Sequence, residues 1–255
     1  IKMKKKKKKQ NIGVIENKVF NEKDWNTNTN IIPSGDPNAK KGGMITMLGG
    51  EEYPTTFRSI GKGSRNQINS LLDAIQYETL LSFDYERLEW SPNLATHWKI
   101  SPDSMTYWFK INEDARFADG QSVTSDDVIA TWELMMDETI LEPSSQLVYE
   151  KYERPIAESK YIVSVTSKSL NWRNLLYFSA SMSLHPHHIL KDIDGTDYLE
   201  KYAFTLIPGT GPYKIENKNI KNQESYILER RDDYWAKNDP MKRYLYNFDK
   251  IKISA

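Results

Sequence analysis

The 255-residue sequence contains no cysteine. Disulfides, thiolate catalysis, iron–sulfur clusters and cysteine-ligated zinc are thereby excluded, and no cysteine-linked lipid anchor is expected. The compartment stays open, since a cysteine-free chain is stable on either side of a membrane. No stretch reaches the roughly 18–20 apolar residues of a membrane span. Histidine is scarce, with four residues, and formal charge cancels at 35 basic against 35 acidic groups. Hydrophobic residues make up 38% and charged residues 27%, with aromatics at 12%. This is a polar chain, long enough to bury a sizeable core without metals or cross-links.

The zero net charge hides an asymmetry. Residues 1–10 hold seven lysines and no acid, so the rest of the chain carries 28 basic residues against 35 acidic ones. A body near −7 argues against broad phosphate-backbone binding. The run Lys4–Lys9 reads as a solvated terminal tract, a nucleic-acid arm, a nuclear-type signal or the charged start of a secretory leader. The segment Asn11–Asn17 is too short and too polar to supply a leader's apolar stretch.

Residues 1–40 read as an N-terminal tail without sustained periodicity. Ordered structure is expected from Lys41, where Met44-Ile45-Thr46-Met47-Leu48 predicts a buried strand ending at Gly49-Gly50. Ile68, Leu71, Leu72 and Ile75 fall at helical spacing and predict a helix burying one face. Tyr107, Phe109 and Ile111 alternate as a strand. Asp119-Gly120 signals a turn, and Thr124 with Asp127 predicts a capping box for a helix whose stripe is Val128, Ile129, Trp132, Met135 and Met136. Tyr161, Val163 and Val165 alternate as a further strand. Trp172, Leu175, Leu176 and Ser179 suit a helix, and Tyr226–Leu228 and Ile251–Ile253 read as strands. Strands and helices mix throughout, which predicts an α/β or α+β chain.

Enzyme signatures are weak. Gly61-Lys62-Gly63-Ser64 lacks the residues that make a phosphate loop, and neither G-x-S-x-G nor H-E-x-x-H occurs. His185-Pro186-His187-His188 could in principle ligate a metal. Pro186 and the adjacency of the last two imidazoles favour a turn instead. Asp126-Asp127 is accounted for by helix N-terminal electrostatics. Glu51-Glu52 sits in a loop between a strand and a helix, where ligand contacts concentrate.

Several blocks together resemble the family 5 extracellular solute-binding proteins, the oligopeptide, dipeptide and nickel receptors of ABC importers. They are Tyr77-Glu78-Thr79-Leu80, Pro92–Trp98, Ser101–Ile111, Ala115–Val128, Pro208-Gly209-Thr210-Gly211-Pro212-Tyr213, Arg231–Trp235 and Phe248–Ile251. The blocks follow the family's order over about residues 41–255, and physically they read as caps, turns and apolar stripes. Asn112 stands where the family commonly has arginine, and Thr55-Thr56-Phe57-Arg58 replaces its usual L-D-P. With Leu170–Asn174 and Tyr246–Asp249, these departures look more like the Yej-type branch of peptide receptors.

The resemblance implies an α/β, class II periplasmic-binding-protein-like lobe with an inserted α+β subdomain. Lobe I would comprise residues 41–68 and 154–255, with the subdomain at 69–153 and the second lobe absent from a shortened chain. It implies capture of a peptide ligand for an ABC transporter membrane permease, in the periplasm, by a protein that is monomeric when full-length and catalyses nothing. No cofactor, nucleic acid or membrane span is expected. The ligand-contact candidates are Glu51, Glu52, Tyr53, Thr55, Phe57, Gly209, Thr210 and Gly211. A nickel or metal-chelate receptor drawing on His185, His187 or His188 is the alternative within the family.

Overall fold

The computed structural model describes residues 20–254 apart from Ile31, Gly50, Glu51, Glu52 and Asn222. In chain order the elements are β1 (Met44–Leu48), α1 (Gln67–Gln76), β2 (Leu81–Asp84), β3 (Glu89–Pro92), β4 (Ala95–Ile100) and β5 (Thr106–Ile111). There follow α2 (Ser125–Met136), α3 (Pro143–Tyr149), β6 (Ile156–Ser159), β7 (Ile162–Thr166), α4 (Asn174–Ala180), α5 (His187–Leu190) and α6 (Gly195–Lys201). The last are β8 (Tyr213–Lys214), β9 (Ile220–Lys221), β10 (Ser225–Arg230) and β11 (Lys250–Ser254).

Among the described residues three sheets form: a two-stranded antiparallel pair, β2-β3, and two larger sheets that organise the rest. The first of these runs β1-β11-β10-β8, with β9 also on β10; β1 lies parallel to β11 and the other pairs are antiparallel. Helix α1 packs Ile68 and Leu72 with Phe57, Tyr213, Tyr226, Leu228 and Ile253 in its core. The second sheet, β4-β5-β7-β6, is antiparallel throughout. The alternation in β5 buries Tyr107, Phe109 and Ile111, and Phe109 sits opposite Trp98 on one side and Val163 on the other.

Sheet membership departs from the expected boundaries. β6 and β7, expected in lobe I, extend the sheet of β4 and β5. Helix α1, expected mostly in the subdomain, packs on the first sheet. Hydrogen-bond register decides this, and register between segments so distant in sequence leaves no local trace.

Three further expectations are corrected. β1 forms as a strand but is not buried: Met44, Met47 and Leu48 are 54%, 38% and 85% exposed. Among the described residues it is an edge strand, paired only with β11, so an apolar run predicted strand and not cover. Part of the expected tail packs onto the body of the chain. Trp25 is buried, and Asn26 exchanges backbone hydrogen bonds with Trp98 at 2.7 and 3.0 Å. Trp172, expected on the buried face of a helix, precedes α4 and is 78% exposed, with the Arg173 guanidinium 4.9 Å from its ring centre.

Helix α2 starts as its sequence predicts. The Asp127 carboxylate accepts the Thr124 backbone N–H at 2.6 Å and the Thr124 hydroxyl at 3.0 Å. Its other oxygen accepts the His187 N–H at 2.7 Å, which pins α5 to the same helix end. On α2, Trp132 packs against the core and donates its indole N–H to the Tyr149 carbonyl at 3.3 Å. Trp132→Ala should therefore cost about 3 kcal/mol, the low end for a large aromatic truncation because the ring is only partly buried. Urea denaturation of both proteins measures the difference.

Candidate functional site

The segments singled out in the sequence meet at the C-terminal end of α1. The Tyr77 hydroxyl donates to the Ile207 carbonyl at 2.9 Å, and the Gly211 N–H to the Gln76 carbonyl at 2.8 Å. A β-carbon on Gly209 would lie 1.8 Å from the Gln76 oxygen, and one on Gly211 2.5 Å from the Ile75 oxygen. Only glycine allows so close a backbone approach. The buried Arg231 guanidinium donates to the carbonyls of Gly211 at 2.9 Å and Phe117 at 3.3 Å. The Ala118 N–H donates to the Gly209 carbonyl at 2.9 Å, joining the turn at Asp119-Gly120 to the same cluster.

Glu78 forms the second knot. Its buried carboxylate accepts the Tyr234 hydroxyl at 2.6 Å, the Trp235 indole N–H at 2.9 Å and the Lys242 ammonium. Lys242 also donates to Asn93 Oδ1 at 2.6 Å. Burial, with the Glu78 charge beside it, pushes the Tyr234 hydroxyl strongly up, so it stays a donor at any ordinary pH.

The expected contact residues fall into different environments. Glu51 and Glu52 lie outside the described residues, as does Lys4–Lys9. Phe57 is a core residue, packed against Tyr226 and Phe204 at ring distances of 4.9 and 5.4 Å, and this corrects its assignment to a ligand surface. A loop position does not reveal which of its side chains turn inward. Thr210 is fully buried with an unpartnered hydroxyl, and Gly209 and Gly211 are occupied by the α1 terminus. Tyr53 is half-buried on Phe57, and Thr55 is exposed. The Thr56 hydroxyl and Phe57 N–H both donate to the Ala203 carbonyl at 2.7 Å, which ties this loop to the segment entering the glycine turn. Leu206–Gly209, with Gln76, Ala118, Asp119 and Lys214, borders a recess of about 180 Å³. A larger concavity of about 800 Å³, around Tyr107 and Trp172, shares no residue with it.

The histidine cluster does not converge. His188 Nε2 contacts Asp119 Oδ2 at 2.7 Å, whereas His185 is buried and stacked on Tyr77 at 4.5 Å. His185 Nδ1 donates to the Ser183 carbonyl at 3.1 Å, so Nε2 is the nitrogen that accepts from the Ser59 hydroxyl at 3.0 Å. Among the described residues no group of three or more His, Asp or Glu side chains has metal-site geometry.

A polar group near His185 escaped the sequence analysis. Asn69 and Asp73 lie one turn apart on α1, on a face that a solvated helix would show to water. Here Asp73 Oδ2 accepts the Ser183 hydroxyl at 2.8 Å, while Oδ1 is covered and unpartnered. Burial pushes the Asp73 carboxyl up to about 6, against the opposing hydroxyl of Ser183. Burial also pushes the His185 imidazole down to about 4, against its bond to the Ser183 carbonyl. The available signal was a polar i, i+4 pair on a helix followed by few charges.

With this geometry in place, comparison with known proteins decides the family. The profile of the "Bacterial extracellular solute-binding proteins, family 5 Middle" matches residues 89–255. The chain belongs to this family. It is 28% identical over 217 residues to the "Probable peptide-binding protein YejA" of Agrobacterium fabrum, covering 84% of this chain and 34% of that protein. It is 26% identical over 228 residues to the "Peptidoglycan-binding protein YepA" of the same organism, covering 88% and 36%. The oligopeptide-binding protein AppA of Bacillus subtilis, solved with a nonapeptide, superposes with a TM-score of 0.70 at 23% identity, covering 85% of this chain and 40% of AppA. The chain thus has the α/β binding-protein fold and spans about a third of the length of the curated relatives it matches.

Two outcomes follow from these clusters. Glu78→Ala should destabilise the family 5 chain by about 3–5 kcal/mol, because it leaves the Lys242 charge and two buried donors unpaired; chemical denaturation measures the loss. The Asp73 and His185 effects oppose each other. Between about pH 4 and pH 6 the folded chain holds the Asp73 proton that the unfolded chain has lost, so this group's stabilisation falls as pH rises. Over the same window the unfolded chain holds the His185 proton that the folded chain excludes, so stability rises with pH. Asp73→Asn removes the first effect, so its stability relative to wild type should grow from near zero at about pH 4 to about 3 kcal/mol at pH 7. Urea titrations at the two pH values measure this.

Proposed function

We propose that these residues form the first lobe of a peptide receptor, which captures its ligand in the periplasm and passes it to an ABC-type membrane permease without chemistry. The observation that carries this reading is membership in the family 5 solute-binding proteins. The relative named as peptide-binding and the neighbour solved with a nonapeptide add support for a peptide ligand. The exposed Thr55, the half-buried Tyr53 and the open recess bordered by Leu206–Gly209 are the candidate contact groups. Peptide recognition that tolerates many sequences relies on backbone hydrogen bonds, with water filling unused side-chain space. Among the described residues no helix is long and apolar enough to cross a membrane. The whole receptor is read as a monomer, with no cofactor and no nucleic-acid partner.

The relative named as peptidoglycan-binding favours including cell-wall peptides in the ligand class. Nuclear magnetic resonance of the 255-residue chain with tri- to decapeptides and with a muropeptide tests both. A peptide held by one lobe keeps a face in water, while association entropy is lost in full, so affinity should be about millimolar. Shifts should centre on Tyr53, Thr55 and Leu206–Gly209. Shifts confined to other surfaces, or hydrolysis of the peptides, would overturn the reading. A response to the muropeptide with none to free peptides would narrow the ligand to cell-wall fragments.

A further inference from the structure

A cavity of about 560 Å³ lies between α1 and α3. None of Tyr53, Thr55, Phe57 or Gly209–Gly211 lines it. Its polar part comes from the 59–66 loop, α1, the start of α3 with Glu142, and Ser181 and Ser183; its apolar part includes Ile60, Met135, Val148, Tyr149 and Tyr177.

Among the described residues, three atoms of the polar part have unmet hydrogen-bonding capacity. Asn69 is 1% exposed, and its amide nitrogen donates to the Arg58 carbonyl at 2.9 Å, leaving Oδ1 covered and unpartnered. Asp73 Oδ1 is likewise covered and unpartnered. Ser64 is 4% exposed, and its hydroxyl has no partner. The first two atoms are pure acceptors. Leaving each unmet costs about 1–3 kcal/mol, so the cavity favours an occupant rich in donors.

Charge narrows the occupant. Three charged side chains line the cavity, Arg65, Glu142 and Asp73, and the first two are already matched. Arg65 Nε donates to Glu142 Oε1 at 2.8 Å, the Gly61 N–H occupies Glu142 Oε2 at 2.7 Å, and an Arg65 terminal nitrogen reaches the Ser145 hydroxyl at 3.3 Å. The surplus is one negative charge, on Asp73. One free carboxylate oxygen suits a monovalent donor better than a divalent metal, which seeks several hard oxygen ligands. The matched guanidinium offers little to an anion. The apolar lining, of no use to a bare ion, suits a short hydrocarbon chain.

We propose that this cavity binds a small organic ammonium ion, its N–H groups donating to Asp73, Asn69 and Ser64 and its carbon chain lying against Met135, Val148 and Tyr149. The site bridges α1 and α3, which belong to the layers of different sheets, and it is independent of the peptide surface.

Calorimetry of the 255-residue chain with n-butylammonium chloride tests it at about pH 8, where Asp73 is ionised. n-Butanol and sodium chloride at equal concentration report the apolar lining and the bare charge. Butylammonium should bind while neither control does. Asp73→Asn should weaken binding at least tenfold. Val148→Phe, which narrows the apolar part and keeps the carboxylate, should weaken it as well, and decides alone should Asp73→Asn fail to fold by circular dichroism. Equal binding of butanol or of sodium, no binding of butylammonium up to roughly 100 mM, or unchanged affinity in the folded variants would each overturn the proposal.

Discussion

A carboxylate taken out of water must be met by donors on every side, and Glu78 is the place where this chain meets that demand. It stands just beyond the C-terminal end of α1. Its donors arrive from residues more than 150 positions later: Tyr234, Trp235 and Lys242. Lys242 then reaches Asn93 at the entrance to β4, so one buried charge holds three remote segments in a fixed relation. The requirement is geometric, because each donor must point at a lone pair. Loss of Tyr234 or Trp235 leaves a lone pair unmet, and loss of Lys242 leaves the charge itself uncompensated in a largely buried site.

Arg231 repeats the logic with the opposite sign. Its guanidinium gathers carbonyl oxygens from the glycine turn and from Phe117, groups that no sheet or helix satisfies. Asp127 does the same on a smaller scale, closing α2 with one oxygen and holding α5 with the other. Buried polar networks of this kind contribute less net stability than apolar packing of equal size, but they admit few alternative arrangements. That explains how the loop 53–57 and the turn 208–211, which belong to no regular element, are still held against Ala203 and α1.

Periodicity carried what is local. Ile68 and Leu72 bury as their spacing requires, Tyr107, Phe109 and Ile111 alternate inward, and Thr124 caps its helix through Asp127. Burial depended on partners that no short window contains. Met44 to Leu48 form a strand whose edge position leaves it open, while Phe57, in a loop, is wholly covered. Trp25 lies in a stretch without period, yet it is buried and followed by a two-residue bridge to Trp98. On α1 the polar pair Asn69 and Asp73 looks like a solvated face, and it becomes the wall of a cavity because α3 closes over it. Each of these outcomes was set by tertiary contact at long sequence separation, where pattern has no reach.

The same distinction bears on what a family resemblance conveys. The blocks that carry it here are Tyr77-Glu78, Pro92-Asn93, the turn through Gly209 and Gly211, and Arg231 to Trp235. Each is consumed internally, as donor to Glu78, as carbonyl held by Arg231, or as a glycine whose missing side chain admits the end of α1. Residues so committed tolerate little substitution whatever ligand the protein takes, since a change costs the knot and not merely a contact. A chain can therefore match this family's blocks closely while its ligand surface diverges without constraint from them. Thr55 and Tyr53 lie outside the blocks and take part in none of these knots. Likeness at Glu78 and Arg231 thus speaks for the scaffold, and the choice of ligand falls to side chains that the resemblance does not reach.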